Sequence, residues 1–436
     1  MSQFVVEGGR CLQGTIRPKG SKNEALQVIC AALLTDRPVV LKNVPDIVDV
    51  RALLELLSTL GVDVTRTSSD AYRLDASDAA LTGVDPHRLK TLMGTLRGSL
   101  MIVGPLVARF GEAYLCKPGG DKIGRRRIDV HLQGLEQLGV RFTYESADDL
   151  YTAKLKASCA DRSVILEEAS VTATANVLMT AARLRAKTTI YNAACEPHVQ
   201  QLCQLLSRMG ARIEGMGSNL LTVHGRDSLE GAEHELLPDL IEVGSFIGLA
   251  AITRSSLTIE GVHMSQLRPV LHGFQKLGIE PQIQGDDLFV DAQPDYRAAR
   301  CADGSLVTLS DGIWPSFPAD LLSVALVVAT RISGNVLVHQ RMFEGRLFFV
   351  DQLLSMGAQI VLCDPHRALV MGLGHTPRLK ATSMSSPDIR AGIALLLAAL
   401  AAEGTSIING IHQIDRGYER IDERLNALGA SIVRRV

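Results

Sequence analysis

The sequence predicts an α/β protein of two globular domains, each assembled from three copies of one supersecondary unit. Two periodic series carry this reading. The first is Leu-x-x-(Leu/Met)-Gly followed by β-formers, at "LSTLGVDV", "LEQLGVRF", "LSRMGARI", "LLSMGAQI" and "LNALGASI", with a weaker "FQKLGIEP". Its glycines, Gly61, Gly139, Gly210, Gly278, Gly357 and Gly429, are separated by 78, 71, 68, 79 and 72 residues. One such motif is only a helix closed by a glycine cap before a strand. Six at near-constant spacing are six copies of a unit.

The second series runs once per copy. Polar or acidic starts lead into nearly all-apolar helices at "SKNEALQVICAALL", "TLRGSLMIVGPLVA" and "TATANVLMTAARL", then at "PDLIEVGSFIGLAA", "PADLLSVALVVAT" and "PDIRAGIALLLAAL". A helix apolar on every side is buried, whereas the LxxLG helices keep Arg, Glu, Lys and Gln on a polar face and lie outside. Each copy therefore supplies strands, one inner helix and one outer helix. Solenoid repeats are usually about 20 to 50 residues, so units of about 70 residues with two helices fit two domains of three units better than a solenoid.

Composition narrows the function. The 436 residues are 46% hydrophobic and 21% charged, as in a folded globular chain. A formal charge of −2 is unlike that of a general nucleic-acid binder, which needs a broad basic surface. Eight scattered cysteines without CxxC or Cys/His spacing, in a chain lacking a secretory signal, are expected to be reduced cytoplasmic thiols, with neither zinc nor disulfides. The apolar run "AGIALLLAALAA" falls short of the roughly 20 residues that cross a bilayer, so no membrane insertion is expected.

Candidate chemistry gathers at the starts of the inner helices: Lys22 and Asn23, Arg97, Ser170 to Thr172, Asp239 and Glu242, Asp320, and Asp388 with Arg390. If the copies are pseudo-symmetric these ends converge, and converging helix starts attract anions. An acidic residue at a helix start is also a common cap, which stands as the competing reading for Asp239, Asp320 and Asp388. A second concentration is "KPGGDKIGRRRID", residues 117–129. Its Gly119 and Gly120 permit close backbone approach, and its cations can surround a phosphate or carboxylate. A solvated hairpin with Asp121 as turn former would have the same composition. A third stretch, "IHQIDRGYERIDERL", places Arg416 before Gly417 ahead of the last outer helix.

Taken together, "GSKNEAL", "NVPDIVDV", "LRGSLMIVGPLVARFG", "PGGDKIGRRRIDVHLQGLEQLG", "LPDLIEVGSF", "FPADL", "MFEGR" and "HQIDRGYERI" resemble the enolpyruvyl transferases that act on UDP-N-acetylglucosamine, from the N-terminus to the last helix. The resemblance implies two inside-out α/β barrel domains, each of three βαβαββ repeats with buried helices and outward-facing sheets. It implies a discontinuous domain of residues 1–21 and 237–436, and an inserted domain of 22–236 that carries the 117–129 loop. The reaction implied is transfer of the enolpyruvyl group of phosphoenolpyruvate to the sugar 3′-hydroxyl through a tetrahedral intermediate, with release of phosphate and no cofactor. Partners beyond these small substrates are not implied, and a homo-oligomer is left open.

Matched position by position, the resemblance places Lys22, Asn23, Arg126 and Arg416 around phosphoenolpyruvate, with Arg97 at the junction with the sugar nucleotide. Asn23, Arg97, Arg126, Ser170, Val171, Asp320 and Met342 match UDP-sugar contacts. Asp320 would take the proton from the 3′-hydroxyl, a task for a carboxylate within hydrogen-bond reach. Arg346 and Asp388 would support it. Asp121 stands where most members carry the cysteine that donates a proton and reacts with fosfomycin. An Asp there implies a carboxyl acid and fosfomycin resistance. Glu168, Thr172 and His198 replace basic, glycine and acidic residues, and Met101 replaces an aromatic, leaving the uridine and diphosphate wall undefined. Arg125 and Arg127 receive no role. The competing functions are a non-catalytic UDP-sugar-binding regulator and transfer to shikimate 3-phosphate, which the loop and the C-terminal motif fit poorly.

Overall fold

All six LxxLG glycines adopt left-handed backbone, with φ between +77° and +108°, at the ends of outer helices. A side chain there would be strained, which is why the motif ends in glycine. The computed structural model describes residues 2–120, 123–124, 127–146, 149–156, 160–376 and 378–436. Its contacts divide the chain into a C-terminal unit, Met1–Lys19, Asp121–Arg126 and Pro238–Val436, and an inserted unit, Gly20–Gly120 and Arg127–Leu237.

Among the described residues the C-terminal unit has three four-stranded sheets. One shows the repeat in full. Strand Val307–Ser310 leads through the inner helix Leu322–Ala329 to the parallel strand Ser333–His339. The outer helix Val350–Ser355 then precedes an antiparallel hairpin, Gln359–Asp364 with Arg367–Leu373. The other two sheets borrow strands from the N-terminus. Gln3–Glu7 lies between Thr405–Asn409 and Ser431–Arg435, and Gln13–Ile16 pairs in parallel with Ser256–Ile259.

The inserted unit repeats this plan. Arg162–Ile165 and Lys187–Tyr191 pair in parallel around the inner helix Val171–Ala182, and Ala232–Glu235 pairs in parallel with Val39–Lys42. Its remaining sheet has three strands among the described residues.

Inner helices are buried on every face, as their composition requires. Every residue of Ile389–Ala401 and of Leu322–Ala329 is buried. Glycines let them approach: a Cβ on Gly244 would lie 2.5 Å from Leu321 Cδ1, and one on Gly248 would lie 2.7 Å from Val324 Cγ1. Strand side chains alternate between this core and solvent, so helices fill each unit and sheets cover it. No helix among the described residues is long and apolar enough to cross a membrane.

Two buried glutamates act within the framework. In the inserted unit, Glu24 accepts from His234 Nε2 at 2.8 Å and from the Leu237 N–H at 3.3 Å. In the C-terminal unit, Glu242 accepts both guanidinium nitrogens of Arg424, at 2.8 and 2.9 Å, and the Lys19 N–H at 2.9 Å. Each glutamate sits in the first turn of an inner helix. Glu242 thus holds the fold where the chain passes between units, a structural duty for one of the helix-start carboxylates.

Candidate functional site

In the inserted unit, three of the expected residues head inner helices. Ser21 caps the helix Lys22–Ala31, its hydroxyl accepting from the Glu24 N–H. Lys22, the first helical residue, is only 6% exposed, and its Nζ lies 2.8 Å from Asp49 Oδ2. Asp49 belongs to the first turn of the outer helix Val48–Thr59 and is equally buried. A charge in so dry a place requires a partner. Asn23 follows on the same turn.

Arg97 opens the 3₁₀ turn Arg97–Ile102, and its Nη2 donates to the Arg127 carbonyl at 3.1 Å. The glycines of the basic loop are packed beside it. A Cβ on Gly119 would lie 2.0 Å from the Gly94 carbonyl oxygen, and Gly120, at φ +109°, would set one 3.0 Å from Arg97 Cβ. Close approach is therefore the reason for both glycines. Arg127 contributes its carbonyl to Arg97, while its side chain pairs with Asp129 at 2.7 Å. Asp121, Arg125 and Arg126 lie outside the described residues. Ile123 and Gly124 group with the C-terminal unit, where the Gly345 N–H donates to the Ile123 carbonyl at 3.1 Å.

Ser170 caps the helix Val171–Ala182 through Ala173. Its own N–H donates to the Glu168 carbonyl, so Glu168 shapes this turn through its backbone while its side chain is exposed. His198, half-buried, lies in the first turn of the outer helix Pro197–Arg208. Met101 is buried in the apolar core, which accounts for an aliphatic residue there.

The C-terminal unit carries the second set. Asp239 and Asp388 are caps, accepting from Ile241 and Glu242 and from Arg390 and Ala391 respectively. Asp320 differs. It lies in the 3₁₀ turn Ala319–Leu321 and meets Arg346 Nη2 at 2.5 Å and Arg390 Nη2 at 2.9 Å. Its side chain is 24% exposed, so it can reach a ligand. Two guanidinium groups thus hold its carboxyl group in place. Burial would lower the Arg390 guanidinium, but Asp320, with Tyr418 and Asp239, outweighs it and holds Arg390 above its ordinary value.

Met342 is exposed, and its backbone is held by Asp311, which accepts from the N–H groups of Arg341 at 2.5 Å and Met342 at 3.4 Å. Burial raises the Asp311 carboxyl above the usual range in spite of these bonds. Arg416 follows the short helix His412–Asp415 and donates to Gln413 Oε1 at 3.1 Å. Its neighbour Gly417 abuts the start of the helix Ile389–Ala401, where a Cβ would lie 2.5 Å from Ile389 Cγ2.

Asp49 and Asp311 were missed by sequence reasoning as residues acting on this set, and Arg390 was named there only as a helix-start cation, not as the partner of Asp320. Asp49 stands inside "NVPDIVDV" and Arg390 beside Asp388, but nothing local marks either as a partner. Among the described residues no cluster of His, Cys, Asp or Glu has the grouping of a metal site.

Residues 6–425 match the family described as EPSP synthase (3-phosphoshikimate 1-carboxyvinyltransferase). Proteins named UDP-N-acetylglucosamine 1-carboxyvinyltransferase from Bacteroides fragilis and Porphyromonas gingivalis are 53% and 54% identical to this chain, over 434 and 435 residues, with 100% of both chains covered in each case. One of the same name from Bradyrhizobium diazoefficiens is 48% identical over 432 residues, covering 99% of this chain and 98% of the relative. Among solved structures, the enolpyruvyl transferase NikO from Streptomyces tendae matches at a TM-score of 0.87 and 23% identity, over 100% of this chain and 99% of that one. EPSP synthase from Acinetobacter baumannii matches at 0.76 and 16% identity, over 100% of each. At those identities the likeness is one of fold.

Proposed function

Because this chain belongs to the EPSP synthase family of enolpyruvyl transferases, we propose that it moves the enolpyruvyl group of phosphoenolpyruvate to the 3′-hydroxyl of UDP-N-acetylglucosamine and releases phosphate, the committing step of peptidoglycan synthesis. The observation that carries this reading is identity of about one residue in two with UDP-N-acetylglucosamine 1-carboxyvinyltransferases along the whole chain.

Phosphoenolpyruvate packs a phosphate and a carboxylate onto three carbons, so its binding calls for several cations. Lys22, Arg126 and Arg416 supply them, with Asn23 alongside and Arg97 next in line. Lys22 is supported in this role by its seat at a helix start, with Asp49 setting its direction. UDP-N-acetylglucosamine engages Asn23, Arg97, Arg126, Ser170, Val171, Asp320 and Met342. Asp320 removes the 3′-hydroxyl proton while Asp121 delivers one to the methylene carbon. The two events form the C–O bond at the central carbon of phosphoenolpyruvate and give a tetrahedral adduct. Loss of phosphate from that carbon, with return of a methyl proton, restores the enol ether. Cations preorganised around the phosphate stabilise the charge that moves through these steps. Arg346, Arg390 and Asp388 support Asp320 by pairing with it or by capping the helix behind it. The domain division proposed is that of the sequence reading, 1–21 with 237–436 and 22–236, and the reaction is proposed to take place in the cytoplasm.

Phosphate release tests the reading. The purified protein releases phosphate from phosphoenolpyruvate only when UDP-N-acetylglucosamine is added, and shikimate 3-phosphate does not substitute. Absence of release with either acceptor would favour a sugar-nucleotide-binding regulator.

A further inference from the structure

The Tyr418 hydroxyl lies between two inner helices of the C-terminal unit, and the direction of its bonds is determined. Ser245, on the helix Leu240–Thr253, has one hydroxyl proton and gives it to the Ile241 carbonyl at 2.7 Å. Its oxygen can therefore only accept from Tyr418 Oη, 2.9 Å away. The phenol proton is thereby committed to Ser245, and the phenol oxygen is left to accept. Arg390, in the first turn of the helix Ile389–Ala401, hydrogen-bonds that oxygen, and a guanidinium can only donate. Its Cζ lies 5.9 Å from the centroid of the Tyr418 ring. Burial, against the charge of Arg390, pushes the Tyr418 hydroxyl up to about 12, so it keeps its proton at physiological pH.

The same guanidinium reaches Asp320 Oδ2 through Nη2 at 2.9 Å. Arg390 is thus directed by a carboxylate on one side and by a phenol oxygen on another, and the phenol is itself directed by Ser245. Ser245, Tyr418 and Arg390 are all buried, whereas Asp320, at the end of the chain of bonds, is partly open to solvent. Filling the core calls for a ring at position 418 but not for its oxygen, since a buried hydroxyl costs free energy unless it is bonded. A bonded one fixes the geometry of the polar groups it joins.

We infer that Tyr418 is a positioning residue for the reaction, its phenol oxygen holding the Arg390 guanidinium in register with Asp320, and that Ser245 sets the direction of the phenol. The inference rests on the reading of Asp320 as the group that takes the 3′-hydroxyl proton. It separates two neighbours in "HQIDRGYERI": Arg416 serves phosphoenolpyruvate, while Tyr418 acts on the base. Proton transfer depends on where the carboxylate is held, so a loosened support lowers turnover without weakening the binding of substrate.

Steady-state phosphate release by the full-length protein, with each substrate varied, tests it. Calorimetric titration with UDP-N-acetylglucosamine counts the folded sites, so that kcat is expressed per site. Tyr418→Phe keeps the ring and removes the oxygen; it should lower kcat about tenfold and leave both KM values within about twofold of wild type. Wild-type kcat per site in this variant is the result of a side chain that only fills the core, and it overturns the inference while leaving the reaction standing. A change confined to the KM for phosphoenolpyruvate would trace to Arg416 and also overturns it. Ser245→Ala releases the phenol proton and should lower kcat about threefold, with no further loss when it is added to Tyr418→Phe. Arg390→Lys should lower kcat by itself and remove the effect of Tyr418→Phe; additive losses there overturn the route through Arg390. If Tyr418→Phe does not fold, Ser245→Ala decides alone, and wild-type kcat per site in it overturns the inference. A wild type that releases no phosphate with UDP-N-acetylglucosamine overturns the substrate reading and this inference with it.

Discussion

Replacing Asp49 with alanine isolates the pair that holds Lys22. Both side chains are buried, at 8% and 7% exposure, and their charged atoms are 2.8 Å apart. Removing one member of such a pair leaves a charge in a dry site, at a cost of about 3–5 kcal/mol. With a urea dependence of about 2–3 kcal/mol per molar for a unit of this size, the midpoint should fall by about 1–2.5 M. Circular dichroism is the appropriate probe, because the single tryptophan, Trp314, belongs to the C-terminal unit and the pair to the inserted one. The double change Lys22→Met with Asp49→Leu removes both charges and should recover most of the lost stability, since apolar replacements of a buried pair are often neutral. It should not recover turnover, because Lys22 is assigned to phosphoenolpyruvate. Phosphate-release kinetics on Asp49→Ala should show a raised KM for phosphoenolpyruvate. A midpoint shift under about 0.3 M, or a double variant less stable than Asp49→Ala, would refute the view that the two charges depend on each other.

Three further outcomes follow from other parts of the molecule. Gly417→Ala forces a methyl group against Ile389 and should destabilise by about 1–3 kcal/mol while raising the KM for phosphoenolpyruvate through Arg416; Ile389→Ala in the same chain should relieve both effects in parallel assays. His131 has its folded pKa near 3 against about 6.5 unfolded, so the unfolded chain binds the extra proton and stability is lost as pH falls from about 6.5 toward 3, by up to about 1.4 kcal/mol per pH unit; urea titrations at stepped pH should give a flatter dependence for His131→Gln in that window. Asp121→Ala should abolish turnover with sugar-nucleotide binding nearly intact, and Asp121→Cys should confer inactivation by fosfomycin on an otherwise resistant enzyme, because a thiolate attacks the epoxide faster than a carboxylate; rapid covalent inactivation of the Asp121 form, seen by mass spectrometry, would remove the assignment.

The sixfold architecture was legible in the linear chain because its causes are local. A glycine that ends a helix must tolerate positive φ, and a helix without a polar face must be buried; both constraints act within a few residues of the motif that shows them. The cap reading of Asp239 and Asp388 was legible for the same reason, the acceptor and its N–H groups being two or three residues apart. Asp320 looked alike in sequence and was decided otherwise by partners 26 and 70 positions away, Arg346 and Arg390, which only folding brings to it. Asp49 beside Lys22 was likewise set by a long-range contact. The identity of a side chain limits which bonds it can make, but which of them it makes, and which proton it has left to give, depends on neighbours that the order of residues does not place together.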